Sequence, residues 1–183
     1  MKFTILFGLF LAAIALSMQA DSAPPAKPVK VVENFNLEQY EGTWFEVART
    51  DNWFQKSCKK NTLADYSKNS DGTIRIDNTC TASDGGHKQI IGTAKVQEPA
   101  KLKVSFAPRF MHFLDLVWAD YWVVDLDKNY TLAAISDPKR KHLWILSRSP
   151  RPNPKDYESL LIRLEQNGFD TKTLITTKQE SAD

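Results

Sequence analysis

The fold of this chain is decided by the stretch Gly42-Thr43-Trp44-Phe45-Glu46-Val47-Ala48-Arg49. A short helical turn with Asn36 as its N-cap precedes the stretch, and the glycine then lets the chain turn sharply. After the glycine the pattern has a period of two, which predicts a β-strand. One face would carry Trp44, Glu46 and Ala48, and the other Phe45, Val47 and Arg49. Because both faces carry apolar side chains, we expect a barrel strand with another element packed outside it.

Seven further β-strands are predicted by alternating hydrophobic residues and by the turns between them. Asp71-Gly72, which separates two runs rich in strand-forming residues, is a strong hairpin signal. Eight strands with short connections predict an all-β fold, an eight-stranded antiparallel up-and-down barrel. The seven strands are predicted over residues 62–67, 73–79, 88–96, 101–107, 119–126, 130–136 and 142–148.

A single α-helix is predicted after the last barrel strand. Asn153 would cap this helix, Pro154 suits its first position and Gly168 ends it. Residues 174–177 are predicted to form a short final strand. The apolar residues of the helix recur at spacings of three and four and so share one face: Tyr157, Leu160, Leu161 and Leu164. We expect this C-terminal helix to pack outside the barrel, on the outward-facing residues Phe45, Val47, Leu143 and Ile145.

The composition is that of one exported domain. The chain has 183 residues, 42% of them hydrophobic, and a net charge of +2, which is too small to imply nucleic acid as a partner. An apolar run after Met1-Lys2 predicts a signal peptide over residues 1–20, cleaved near residues 17–20. Residues 21–33 are predicted to be a flexible leader, and residues 34–183 a single domain. No cysteine lies near the cleavage region, so we expect no lipoprotein anchor and a protein that is periplasmic if bacterial and otherwise secreted.

Cys58 and Cys80 are the two cysteines of the chain. In an exported protein they predict one disulfide, and the alternative is two free thiols. Trp44 begins the first strand at the closed end of the barrel, and both cysteines then fall at the open end, which agrees with their pairing. The loops expected at the open end are residues 50–60, 81–87, 107–118 and 137–141.

No motif for catalysis is found in the sequence. It contains no nucleophile elbow, zinc-protease, Cys-x-x-Cys, phosphate-loop or dinucleotide pattern. His87, His112 and His142 fall on predicted loops at the open end and would bind zinc if they converged, but their spacing forms no local motif. We therefore expect a binding protein with no catalytic residues, no metal and no cofactor. Asn129 begins a glycosylation sequon, which matters only in a eukaryotic host.

Residues 109–118 form the most unusual segment, because this predicted loop is mostly apolar. Loops are usually polar, so the segment is expected to be either buried or used for contact. At the open end it would gate ligand access, touch a lipid surface, or pack against a second protomer in a homodimer. Its simplest interpretation is a short helix that covers the barrel. We favour a lid that contributes Phe110, Phe113 and Leu114 to a ligand.

Four segments resemble the lipocalin family and occur in the same order along the chain. They are Gly42-Thr43-Trp44 with the strand that follows it, and residues 99–106, 120–124 and 143–148. They are similar to the branch that holds apolipoprotein D, the bacterial lipocalins and the plant temperature-induced lipocalins. The resemblance covers about residues 34–177. Residues 126–130 depart from the family's Thr-Asp-Tyr signature and resemble the bacterial and plant form instead.

This resemblance implies a carrier or scavenger of a small hydrophobic or amphipathic molecule, with fatty acid or lysophospholipid favoured by the branch. One alternative is a lipocalin-fold enzyme that acts on a lipophilic substrate. An isomerase of the prostaglandin type would need a reactive cysteine in the lumen. The other alternative is a partner-binding module that uses the apolar loop.

The resemblance also gives roles to residues of the barrel interior. Trp144, Leu146 and Arg148 share one face of the last strand, and if that face points inward, Arg148 reaches Trp44 at the barrel base. In lipocalins this arginine lies across the tryptophan ring and closes the base through a cation–π contact. Trp144 would lie higher, on the cavity wall. Four further residues match family positions that line the cavity: Tyr66, Asn78, Phe106 and Tyr121.

Overall fold

The computed structural model describes residues 27–180. The predicted signal peptide, residues 21–26 of the predicted leader and the last three residues lie outside this range. Within the described range, no helix is long and apolar enough to cross a bilayer.

Eight antiparallel strands form a closed barrel. Each strand pairs with the next along the chain, and the last strand pairs with the first, which closes the barrel. This topology confirms the predicted up-and-down barrel. The strands are β1 (Gly42–Thr50), β2 (Cys58–Lys68), β3 (Ile74–Ala82), β4 (His87–Glu98), β5 (Lys101–Ser105), β6 (Ala119–Leu126), β7 (Leu132–Ser136) and β8 (Leu143–Ser147).

An apolar core fills the barrel toward its base. It includes the fully buried side chains of Trp44, Ile74 and Ile135. Trp144 and Tyr121 pack against this core but remain partly exposed. The Trp144 side chain faces inward and lies toward the open end, so its exposure shows that solvent reaches the upper part of the lumen, while the base is closed.

A short helix, α1 (Leu37–Tyr40), precedes β1. The C-terminal helix α2 (Pro154–Gln166) packs on the outside of the barrel, as predicted. The side chain of Asn153 caps it by accepting a hydrogen bond from the N–H of Lys155 at 2.9 Å. On the face toward the barrel, Leu160 and Leu164 are fully buried. They join a cluster with outward-facing barrel residues that include Val47, Leu143 and Ile145.

A ninth strand, β9 (Leu174–Thr176), pairs with the far end of β1. The residues after it bridge β1 and β2 where these two strands separate. The side-chain amide of Gln179 donates hydrogen bonds to the carbonyl oxygens of Glu46 and Thr62, at 2.7 and 2.9 Å. The C-terminal segment therefore fills the gap between the two strands.

Residues 27–33 are attached to the barrel, where the sequence predicted a flexible leader. Val29 is buried in the cluster between the barrel and α2. The N–H of Val32 donates to the carbonyl oxygen of Val123 at 3.0 Å. Lys30 exchanges two hydrogen bonds with the side chain of Asn167, at 3.0 and 2.9 Å. The proline-rich composition of this segment predicted flexibility. Composition alone does not reveal that the neighbouring barrel surface and α2 offer partners for these residues.

A β-bulge in β1 changes which residues face the lumen. The register with β8 shifts between Glu46 and Ala48, so Ala48 pairs with Ile145 and Arg49 pairs with Trp144. Paired residues point to the same side of the sheet, which places Arg49 on the lumen side and Ala48 outside. The prediction that strict alternation continues from Trp44 through Ala48 was therefore wrong beyond Glu46.

The disulfide joins Cys58 at the start of β2 to Cys80 near the end of β3, with the two Cα atoms 5.6 Å apart. This confirms the predicted pairing over the alternative of two free thiols. Because it links the upper ends of two adjacent strands, it fixes the rim beside the segment that follows β1.

Candidate functional site

The base of the barrel is closed by Trp44 and Arg148. The guanidinium carbon of Arg148 lies 4.0 Å from the centroid of the Trp44 ring. The Trp44 indole N–H donates to the carbonyl oxygen of Tyr40 at 2.8 Å. Gly42 has a φ of +89°, a conformation that favours glycine and that turns the helix α1 (Leu37–Tyr40) into β1. The Arg148 guanidinium also donates to four backbone carbonyls at 2.6–3.2 Å, those of Gln39, Tyr40, Glu41 and Thr43.

Three tyrosine hydroxyls meet above this closure. The hydroxyl oxygen of Tyr121 lies 2.8 Å from that of Tyr40 and 2.8 Å from that of Tyr66. Burial raises the pKa of each of these phenols well above its ordinary value. The floor of the lumen is therefore polar and uncharged. Tyr66 and Tyr121 are predicted to line the cavity, whereas Tyr40 was not predicted; its position four residues before Trp44 was the available signal.

Asn78 lies on the lumen wall next to this floor. It pairs with Ala64 of β2 and shares a strand face with Ile76, which belongs to the inner core. Its side-chain oxygen Oδ1 is buried and has no hydrogen-bond partner among residues 27–180. Buried polar groups are nearly always paired, so this acceptor is unusual.

Aromatic side chains form the upper wall of the lumen. The Trp144 indole N–H donates to Oε1 of Gln55 at 2.8 Å, and its ring stacks on His142 with centroids 5.7 Å apart. On the opposite wall, Phe106 lies against Gly92. A Cβ atom at Gly92 would come within 2.7 Å of the Phe106 ring, so the glycine allows the ring to lie flat on the wall. Phe106 remains 40% exposed, which makes it accessible from the open end.

A buried carboxylate, Glu46, lies on the same side of β1 as Trp44. Its oxygens accept hydrogen bonds from Gln55 at 2.8 Å and from Thr177 at 2.6 Å, and Arg49 lies 3.3 Å away. Burial raises the pKa of Glu46 above its ordinary value, and these three partners offset the rise only in part. This network was not predicted from the sequence, because the bulge turns Arg49 inward and because Gln55 and Thr177 come from outside the eight strands.

The apolar loop folds against the outer wall of the barrel. The Trp118 ring lies 4.1 Å from Nζ of Lys95, whose neighbour Ala94 faces the lumen, and His112 packs on Trp118 with ring centroids 4.8 Å apart. Phe110 and Phe113 are 77% and 81% exposed. The loop is held against the outer wall at Trp118 and His112, and the predicted contribution of Phe110, Phe113 and Leu114 to a ligand stays a prediction.

The three histidines have different surroundings. His142 interacts with Asp137 at 3.2 Å beside Trp144, and His112 contacts the Ala107 carbonyl oxygen at 3.0 Å on the outer wall. His87 begins β4 and is exposed. No group of three or more metal-ligating side chains converges within the described part of the chain.

Asn129, the predicted sequon asparagine, is exposed in the turn between β6 and β7.

Comparison with known proteins places this geometry in a family. The family described as "Lipocalin-like domain" matches residues 35–179. Temperature-induced lipocalin-1 of Arabidopsis thaliana is 38% identical over 158 residues, 84% of either chain. Outer membrane lipoprotein Blc of Citrobacter freundii is 34% identical over 94% of this chain and 95% of its own. Apolipoprotein D of Mus musculus is 33% identical over 95% of this chain and 91% of its own.

These matches span nearly the whole described barrel, and they agree with its closed topology and with the Trp44–Arg148 contact at its base. The relatives come from the three groups that the sequence motifs resemble: plant, bacterial and apolipoprotein D lipocalins. The chain therefore belongs to the lipocalin family, in the branch that contains these three groups.

Proposed function

We propose that this protein binds and carries, or scavenges, a small hydrophobic or amphipathic ligand in the barrel lumen, with fatty acid or lysophospholipid as the favoured class. The observation that carries the proposal is the partial exposure of aromatic side chains on the upper wall of the lumen. Trp144 and Phe106 face inward and yet remain partly exposed. Aromatic surface in a concave site, with a few polar groups beside it, suits an amphipathic molecule.

The arrangement offers distinct surroundings for the two parts of such a ligand. Its apolar chain would lie along Trp144 and Phe106, the Trp144 ring being held in place by its hydrogen bond to Gln55. Polar groups also line the lumen, among them Asn78 and the carboxylate of Glu46. A fully apolar oil would leave Oδ1 of Asn78 without a partner, so a ligand with polar functions fits better.

Binding is favoured over thiol-dependent catalysis because the two cysteines are oxidised to a disulfide. A thiol-dependent isomerase needs a free thiolate in the lumen. Here both cysteines are joined in the disulfide at the rim. The names of two relatives, an outer membrane lipoprotein and an apolipoprotein, support export and contact with lipid, and we propose the same for this chain.

The apolar loop supports a second role, contact with a lipid surface. Phe110, Phe113 and Leu116 are each more than three-quarters exposed in the segment 109–118. Exposed apolar side chains at such density mark an interaction surface.

The same residues would serve a homodimer, so flotation with phosphatidylcholine vesicles and sedimentation at several concentrations separate the two. Flotation that Phe113→Asp abolishes supports lipid contact, and concentration-dependent mass without flotation supports the dimer.

Replacement of Trp144 by alanine tests the lumen site. We expect the Trp144→Ala protein, after delipidation, to bind palmitic acid or lysophosphatidylcholine about ten- to a hundredfold more weakly, equivalent to about 1–3 kcal/mol. The reason is the loss of a large aromatic wall and of its contact with the ligand. Titration calorimetry measures the change without relying on tryptophan fluorescence.

Trp118→Ala is the matched control, because this tryptophan packs on the outer wall over Lys95. It should leave the affinity within about twofold of wild type. Two results would contradict the proposal: no saturable binding of either lipid by delipidated wild type, or full affinity in Trp144→Ala.

A further inference from the structure

The floor of the lumen has more hydrogen-bonding capacity than its own residues use. Tyr40, Tyr66 and Tyr121 form a chain of three hydroxyls with two contacts, each of 2.8 Å. Each phenol has one proton to donate, and the two hydrogen bonds between the hydroxyls use only two of the three protons. Whichever hydroxyl is the donor in each of these two hydrogen bonds, one phenol proton has no acceptor among the described residues.

An acceptor without a donor lies on the neighbouring strand. Oδ1 of Asn78 is the buried side-chain polar atom that lacks a partner in residues 27–180. Tyr66 pairs with Ile76, and Asn78 is two residues further along β3 on the same face. Two residues along a strand advance about 7 Å, so Asn78 lies one step above the phenols toward the open end.

The residue opposite Asn78 leaves room for a third group. Asn78 pairs with Ala64, whose side chain is a single methyl group. Asn78 itself is partly exposed as a residue, although its oxygen is buried. Because Asn78 faces inward, this partial exposure indicates that its amide borders the lumen.

We propose that this floor binds a hydroxyl group at the inner end of the ligand, so that the protein selects lipids with a hydroxyl at the end of the chain that enters first. This inference rests on the proposed lumen function and specifies its ligand class. A hydroxyl accepts from the spare phenol proton and donates to Asn78 Oδ1. A methyl end does neither, and a carboxylate cannot donate.

Electrostatics favour the same neutral group. The phenols are uncharged, and the carboxylate of Glu46 lies on the lumen side of β1, two residues from Trp44 of the floor. A second carboxylate in this closed end would lose its hydration and would find the lumen-side cation, Arg49, already 3.3 Å from Glu46. A neutral hydroxyl has neither disadvantage.

Two fatty acids that differ only at the far end test the proposal. Hexadecanoic acid and 16-hydroxyhexadecanoic acid share chain length and carboxylate, so their affinity ratio reports on the end that lies at the floor. An apolar floor would bind the hydroxy acid at least about tenfold more weakly, since its hydroxyl would lose its water without a partner. We expect wild type to bind the hydroxy acid as tightly as hexadecanoic acid, or more tightly.

Asn78→Leu removes the acceptor while keeping a side chain of similar size. We expect about fivefold weaker binding of the hydroxy acid and no loss for hexadecanoic acid, so the ratio of the two affinities changes. Thr79→Val is the matched control, because Thr79 is adjacent and on the opposite face of β3. It should leave the ratio unchanged.

The wild-type ratio is informative even if the Asn78 variant does not fold. Hexadecanoic acid bound more than tenfold more tightly than the hydroxy acid overturns the hydroxyl site, and so does a ratio that Asn78→Leu leaves unchanged. In either case, saturable binding of hexadecanoic acid that depends on Trp144 leaves the carrier function intact. Failure of both acids to bind overturns both proposals.

Discussion

Replacing Arg148 with alanine is expected to lower the free energy of unfolding by about 3 kcal/mol, the combined value of several charge-assisted hydrogen bonds and a cation–π contact at a partly exposed site. Arg148 holds the entrance to β1 through the carbonyl oxygens of Gln39, Tyr40, Glu41 and Thr43. Alanine leaves these carbonyls without their donor and uncovers the Trp44 ring. In a domain of this size, thermal unfolding should shift down by about 6–12 °C.

Arg148→Lys is the control that separates charge from geometry. Lysine keeps the positive charge, but its ammonium group cannot reach several carbonyls in the planar fork that arginine presents. We expect it to recover less than half of the lost stability. Ligand affinity should change less than stability in both variants, because the base lies below the lumen site. An alanine variant with an unaltered melting curve would contradict the assigned closure of the barrel.

Removal of the disulfide is expected to have an effect of similar size. Cys58 and Cys80 are separated by 22 residues, and in the chain-entropy model the closure of such a loop stabilises the fold by about 3 kcal/mol. The Cys58→Ser/Cys80→Ser protein should therefore unfold at a lower temperature and denaturant concentration than wild type. Reduced wild type should behave like the double variant.

Reductant gives an internal control, since it should not change the melting of the double variant. Alkylation of native, unreduced wild type should modify neither cysteine. Two titratable thiols in that folded protein would contradict the disulfide and would reopen the thiol-enzyme alternative.

The barrel and its helix could be predicted because their signals are local. Period-two alternation identifies the strands, and Asp71-Gly72 identifies a hairpin. Leu160 and Leu164 recur at helical spacing, and both are fully buried against the barrel. In these segments the sequence pattern and the tertiary environment favour the same structure.

The lumen was harder to predict, since its composition depends on local irregularity. A bulge between Glu46 and Ala48 brings Arg49 inward, and an inserted residue of this kind has no composition signal in the stretch. Gln55 and Thr177 reach Glu46 from a loop and from the C-terminal segment, which strand parity does not address. The polar network around Glu46 could therefore be found only in the folded chain.

The position of the apolar loop could not be predicted from its composition. Its composition correctly indicated an unusual surface, but composition does not say on which side of a barrel wall a loop folds. The position is decided by Trp118 and His112, which pack outside over Lys95. Phe110 and Phe113 are left exposed to solvent as a result.

Contact quenching by a brominated fatty acid tests the central claim, that the ligand lies in the lumen beside Trp144. Bromine atoms on the acyl chain quench an indole that they touch. We expect saturable quenching of delipidated wild type at one ligand per chain, and loss of most of it in Trp144→Phe, which keeps an aromatic wall and so still binds by calorimetry. The Trp118→Phe protein, in which the change lies on the outer wall, should retain the quenching. Equal saturable quenching in wild type and Trp144→Phe would place the ligand outside the lumen and contradict the account.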